Sequence, residues 1–140
     1  MYHTLNKNFN DFILDVDTKL VEGTIDNWAG LEIRCQDEGS YYALEISSDG
    51  YYEISKFENS NKVKLAKPTN SSYINTGVGA TNHIHIEANK NTMGLSVNGH
   101  HLSTVTDNTF TEGAVALMAN CVKESDFTEV AFSNLVITQI

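Results

Sequence analysis

Leu31-Glu-Ile-Arg-Cys-Gln-Asp-Glu-Gly-Ser40-Tyr-Tyr-Ala-Leu-Glu-Ile-Ser-Ser-Asp-Gly50-Tyr-Tyr-Glu-Ile-Ser55 contains three alternating runs separated by two turns. Leu31, Ile33 and Cys35, then Tyr42, Leu44 and Ile46, then Tyr52 and Ile54 recur at every second residue. That is the period of a half-buried strand, because successive side chains point to opposite sides of a pleated sheet. Asp37-Glu-Gly-Ser40 and Ser48-Asp-Gly50 supply the turn chemistry between them. If the first loop joins Gln36 to Tyr41, Cys35 pairs with Tyr42, Ile33 with Leu44 and Leu31 with Ile46. A three-residue loop with Gly50 in the left-handed position pairs Ile46 with Tyr52 and Leu44 with Ile54.

These registers fix the other face by parity. Its central row reads Glu32, Glu45, Glu53, flanked by Arg34, Ala43 and Ser55 on one side and Gly30, Ser47 and Tyr51 on the other. Gln36, Tyr41 and Phe57 extend it, and Trp28 stands at the end of its strand. Facing like charges on a sheet are destabilising. The row therefore needs a neutralising partner, for which Arg34, Lys56 reaching round the edge, a cation or a bound ligand are the candidates.

The same alternation continues along the chain. Strands are expected at about 11–21, 28–36, 41–48, 51–58, 62–67, 82–89, 92–98, 100–106, 113–121 and 127–139, and no segment carries a helical stripe. Asn98-Gly99 is a strong hairpin signal. The long irregular stretch is Pro68 to Thr81. Strands at this spacing mean an all-β sandwich or barrel. Leu31, Ile33, Leu44, Ile46, Ile54, Ile84, Ile86, Leu95, Val97, Val115, Leu117, Val130 and Phe132 are expected to point between its layers.

A chain of 140 residues with 41% apolar content is one domain with one core. Its formal net charge of −9, spread along the chain, argues against nucleic acid or an anionic membrane surface as partner. No apolar run approaches the roughly 20 residues of a membrane span, and the first residues lack the apolar centre of a signal peptide. Cys35 and Cys121 are too few and too far apart for a disulfide framework or zinc motif and read as inward core positions. A bridge between the sheets stays open and would imply an oxidising compartment.

Asp11-Phe-Ile-Leu-Asp-Val-Asp17, Gly30-Leu-Glu-Ile-Arg34-Cys-Gln-Asp37, Tyr41 to Tyr52, Ile74 to Asn82, Leu95-Ser-Val-Asn-Gly99 with Leu102, and Val130-Ala-Phe-Ser-Asn-Leu-Val136 together carry a resemblance. The chain resembles the concanavalin A-like lectin/glucanase superfamily, and within it the stand-alone jelly-roll modules of bacterial multidomain and surface proteins. The resemblance implies a jelly-roll sandwich of two curved antiparallel sheets whose concave face binds carbohydrate in many members. It implies an exported or surface-associated protein, and structural calcium in some members. Such modules carry an extra N-terminal strand beside the C-terminal one. Here only Met1 to Phe9 precede the first strand assigned above. Either a boundary falls inside a larger protein, or strand 127–139 has an exposed edge able to pair with a second copy.

Carbohydrate recognition needs flat aromatic faces for sugar rings and planar polar groups for hydroxyls. Trp28 and Tyr51 are candidate platforms, and Glu32, Arg34, Gln36, Glu45 and Glu53 candidate hydrogen-bonding groups. The alternative for the same residues is charge neutralisation and strand propensity alone. No catalytic residue is assigned. If the chain is an enzyme it is a glycoside hydrolase using two of these carboxylates, cross-strand neighbours falling within the range a retaining mechanism needs. Glu124-Ser-Asp126-Phe-Thr-Glu129 matches the glucanase pattern Glu-x-Asp-x-(x)-Glu but lies in a connection before the last strand. His83-x-His85-x-Glu87 has a spacing at which two imidazoles can share zinc. No third ligand is evident, and no metal residue is assigned. Asp15, Asp17, Asp37, Asp49 and Asp107 are possible calcium oxygens without a recognisable ligand spacing. The expected partner is thus a glycan or polysaccharide, with a structural protein-interaction domain as the reading that needs no small ligand.

Overall fold

The computed structural model describes residues 2–123 and 127–140, with side chains from residue 7 onward. Glu124 and Asp126 of the glucanase-like match lie outside the described residues. The strands are β1 (Tyr2–Phe9), β2 (Phe12–Gly23), β3 (Trp28–Asp37), β4 (Ser40–Ser47), β5 (Tyr51–Glu58), β6 (Asn61–Asn70), β7 (Thr81–Asn89), β8 (Thr92–Val97), β9 (His100–Thr106), β10 (Gly113–Asn120) and β11 (Thr128–Gln139). They form a six-stranded sheet, β1-β10-β3-β4-β5-β6, and a five-stranded sheet, β11-β2-β7-β8-β9. Every pairing is antiparallel.

Alternation dictates what lies between the sheets. Phe12, Leu14 and Val16 of β2 and Ile84 and Ile86 of β7 face Leu31 and Ile33 of β3, Leu44 of β4 and Ile54 of β5 in one buried cluster. Leu95, Val97 and Val115 join it, and Leu117 and Phe132 pack against it. Val130 belongs to a smaller cluster with Leu20, Ala29 and Ala119. All the expected core positions are therefore inward or packed on the core. Burying such side chains contributes about 1.5–3 kcal/mol each.

Two strand assignments are corrected. No strand was assigned before residue 11, yet β1 pairs with β10, from Tyr2 opposite Met118 to Phe9 opposite Gly113. It sits beside β10, not beside β11, so β11 remains the edge of its own sheet. The strand expected to end before Pro68 runs on to Asn70. A proline is tolerated there because β6 is an edge strand, where the missing N–H has no ladder partner to lose.

The β4–β5 hairpin has the expected register, with Leu44 opposite Ile54 and Ile46 opposite Tyr52, and Gly50 takes φ +98°. The β3–β4 hairpin does not. Asp37 faces Ser40 as a turn at 37–40 requires, but Ile33 then faces Tyr42 and Leu31 faces Leu44. A bulge lies between, with Arg34 at φ +50°. Against β10 the register steps between Ala116 opposite Glu32 and Ala114 opposite Cys35, so Ile33 and Arg34 together oppose the single residue Val115. Both therefore point inward and Cys35 points out, the reverse of its expected placement. Gly113 accommodates the bulge, since a Cβ there would lie 2.4 Å from the Arg34 carbonyl carbon. Neither Cys35 nor Cys121 forms a disulfide.

Arg34, expected on the outer face, is fully buried. Its Nε and Nη2 donate to the Asn10 carbonyl at 3.2 and 2.9 Å, and Nη1 donates to the carbonyls of Lys90 (2.7 Å) and Phe110 (3.3 Å). Nη2 also lies 3.4 Å from Asp11 Oδ1. A buried guanidinium is tolerated only when its donors are satisfied. Here they tie three connections of one end of the sandwich to β3.

Candidate functional site

The outer face of the six-stranded sheet carries the carboxylates. Along β4 residues on both sides of the strand are buried, the outward Ala43, Glu45 and Ser47 as well as the inward Leu44 and Ile46. Small residues make the floor: Gly30, Ala43, Ser47, Ser55 and Ala116. Gly30 is required, because a Cβ at this position would lie 2.1 Å from the Leu44 carbonyl oxygen. Larger side chains stand around it, including Trp28, Tyr41, Tyr51 and Phe57, and Tyr41 and Phe57 stack with centroids 4.8 Å apart. The result is a trough, and beside Glu32 it deepens to a depression of about 410 Å³ lined in part by Cys35, Gln36, Tyr41, Ala116 and Asn120.

Within the trough, Glu45 is opposite Glu53 as the sequence implies. Glu32 is not in their row. The β3 register places it opposite Ala43, with Gly30 opposite Glu45, so Glu32 is a diagonal neighbour. Glu45 and Glu53 are only 6% and 5% exposed.

The charge problem is solved in two ways, neither by Arg34 nor by Lys56. Lys62 of β6 reaches Glu53 with Nζ 2.6 Å from Oε1, and Ser55 Oγ donates to the same oxygen at 3.1 Å. Glu45 instead holds a proton more tightly: burial, followed by the charge of Glu53, pushes its carboxyl up to about 7. Lys56 turns to the other side of β5, where it pairs with Asp107 at 3.1 Å. That aspartate also accepts from Tyr42 Oη at 2.6 Å and is held well below the usual carboxylate range. Burial raises Glu32, against the opposing effect of a hydrogen bond with Tyr41. Burial and the charge of Glu32 push the Cys35 thiol up to about 12, so it is not a nucleophile at neutral pH.

Of the sequence-derived site residues, the trough brings together Trp28, Glu32, Glu45, Tyr51 and Glu53. Trp28 faces Ser47 across β3–β4, and the Tyr51 N–H donates to Ser47 Oγ at 3.2 Å. The two rings thus flank Ser47 from strands two spacings apart, about 10 Å. Gln36 is at the rim, where its Nε2 donates to the carbonyls of Arg34 and Glu112. Arg34 is excluded. Lys62 was missed because its strand was not tied into any register. The only available signal was a lysine on the strand after two adjacent glutamates.

The chain matches no protein-family model and no curated protein. Among solved structures it is similar to the carbohydrate-binding module CBM66 from Bacillus subtilis, with TM-score 0.80 and 17% identity over 97% of this chain and 80% of that one. Chicken galectin 2 superposes with TM-score 0.69 at 8% identity, covering 96% of each chain. A putative glycosyl hydrolase from Parabacteroides distasonis gives TM-score 0.65 at 15% identity, covering 99% of this chain and 83% of the other. All three share one architecture. The chain has the concanavalin A-like lectin/glucanase fold.

In this concanavalin A-like sandwich the second sheet carries its own polar cluster. Strand pairing sets Asp15 opposite His85 and Asp17 opposite His83. His83 Nδ1 lies 2.7 Å from Asp17 Oδ1 and its Nε2 2.8 Å from Asp15 Oδ1, which also lies 2.8 Å from His85 Nδ1. Asn134 Nδ2 donates to Asp17 Oδ2 at 2.8 Å. Hydrogen bonds to the carboxylates of Asp17 and Asp15 raise His83 above its ordinary value. Among the described residues no three His, Cys, Asp or Glu side chains are arranged to hold a metal ion. The imidazoles are tied to carboxylates across the β2–β7 ladder, and Glu87 is not part of the cluster.

Proposed function

We propose that the chain is a non-catalytic carbohydrate-binding module of an exported or surface protein, and that its site is the trough on the six-stranded sheet. The observation that carries this reading is a pair of nearly buried carboxylates on the face turned away from the core, beside Trp28 and Tyr51. Such a pair costs desolvation and repulsion, which the Lys62 ion pair on Glu53 offsets on one side only. Set into a floor of small residues, these carboxyl groups can exchange hydrogen bonds with vicinal hydroxyls that reach them, while aromatic rings cover the apolar face of a sugar. The resemblance in fold to a carbohydrate-binding module and to galectins supports the same reading. A glycan array tests it: wild-type protein binds at least one glycan class, and Trp28→Ala reduces that signal roughly tenfold or more through lost stacking. An array without signal above background contradicts it.

One observation favours a glycosidase as the second reading. Glu45 holds its proton near neutrality beside an ion-paired Glu53, an acid next to a base. Release of product from β-glucans, galactans or aryl glycosides that disappears in Glu45→Gln would establish it. The binding-module reading expects no product.

A further inference from the structure

The two ends of the sandwich use their asparagines in opposite ways. At the end holding the β6–β7 and β8–β9 connections the amides serve the fold. Asn82 Nδ2 donates to the Asn75 carbonyl, Asn75 Nδ2 to the Thr81 carbonyl, and Asn98 Nδ2 to the Tyr73 carbonyl and Asn82 Oδ1, all at 2.8–3.0 Å. At the Arg34 end, a cleft of about 540 Å³ opens between the β1–β2, β7–β8 and β9–β10 connections. It is lined by Asn10, Asn91, Asn108 and Thr111, and none of these side chains makes a hydrogen bond within the described protein. Lys90 and Glu112, also in the lining, form no ion pair among the described residues.

The frame beneath these free groups is rigid. Arg34 holds the carbonyls of Asn10, Lys90 and Phe110 from below, and the Asp11 carboxylate accepts from the Lys90 N–H at 2.8 Å. The Asp107 N–H donates to the Asn91 carbonyl at 2.9 Å, tying the second connection to the third. Tyr42 Oη accepts from the Phe110 N–H at 3.1 Å. A buried arginine thus fixes the backbone, while the side chains above it face solvent and make no hydrogen bond among the described residues. The volume falls in the range of small-ligand sites.

From this arrangement we propose that the cleft is a second ligand site, separate from the trough, that binds a neutral polyhydroxylated group, a sugar residue or polyol, by hydrogen bonds alone. Amides and a hydroxyl each donate and accept, as vicinal hydroxyls do. One lysine against two carboxylates disfavours a phosphate or other anion. The lining contains no aromatic ring, so a sugar enters edge-on without stacking.

The test is a titration of the isotope-labelled protein with D-glucose, D-galactose, D-mannose and D-fructose to millimolar concentration. The side-chain amide resonances of Asn91 and Asn108 and the Trp28 indole are followed in the same spectra. The proposal expects saturable shifts of the two amides with at least one sugar. These persist in Trp28→Ala and in Tyr51→Ala, and Asn91→Ala with Asn108→Ala weakens binding roughly tenfold with the backbone spectrum preserved. Shifts that never saturate, or that vanish in both trough variants, overturn it. A silent Trp28 with responding amides supports the cleft as a site separate from the trough.

Discussion

Glu45 and Arg34 are neighbouring problems with opposite solutions. Glu45 carries its buried carboxyl by holding a proton, with its pKa raised to about 7. A carboxyl raised on folding binds more protons in the native than in the unfolded state between its two pKa values. Stability therefore falls as pH rises through that window, from the ordinary carboxylate range near 4.5 to about 7. Glu45→Gln mimics the protonated form. It is expected to stabilise the protein on the order of 2 kcal/mol at about pH 8 and to change little at about pH 5. Urea unfolding across that range checks it; equal effects at both ends would mean that Glu45 is ionised throughout. Arg34 stays charged and satisfied, and Arg34→Ala leaves three carbonyls and Asp11 without their donor. It should cost about 3–5 kcal/mol. A loss under about 1 kcal/mol would show that water substitutes for the guanidinium.

At the scale of elements, hairpins were legible where a turn left one solution. Ser48-Asp-Gly50 offers Gly50 for the left-handed position, and the β4–β5 register follows. The β3–β4 register was not legible past the turn, because a bulge centred on a non-glycine residue has no local signature. An arginine between Ile33 and Cys35 reads as outward by parity. Its inward turn depends on carbonyls from connections 24 to 76 residues away in sequence. The β2–β7 pair illustrates the converse. Asp15, Asp17, His83 and His85 were each visible, but their meeting needed the ladder between the two strands. Because His83 is raised, its pairing stabilises fully below the unfolded value near 6.5, and that contribution is lost as pH rises through the folded pKa. An NMR titration is expected to give His83 a midpoint above 6.5, lowered in Asp17→Asn. A midpoint at or below the ordinary value, unmoved by Asp17→Asn, would contradict the pairing.

For the whole molecule, apolar alternation was sufficient to give an all-β sandwich and its core, since the two inner faces need only period two. The first strand escaped because Tyr2 to Phe9 carries little alternation and is recognised by pairing with β10. β11 is the edge expected of the C-terminal strand, but a register shift between Ser133 and Val136, with Asn134 at φ +56°, interrupts it. Such bulges blunt an edge against pairing with another chain. What sets the six-stranded sheet apart in shape is the trough. Trp28 is the sole tryptophan and stands at its rim, so selectively excited tryptophan emission reports on that face. The most direct measurement is therefore a titration with neutral oligosaccharides followed by Trp28 emission. A saturable change is expected with at least one of them, weakened by roughly 1–3 kcal/mol in Tyr51→Ala and in Glu32→Gln. Emission that stays flat across the whole set, with both variants indistinguishable from wild type, would contradict it.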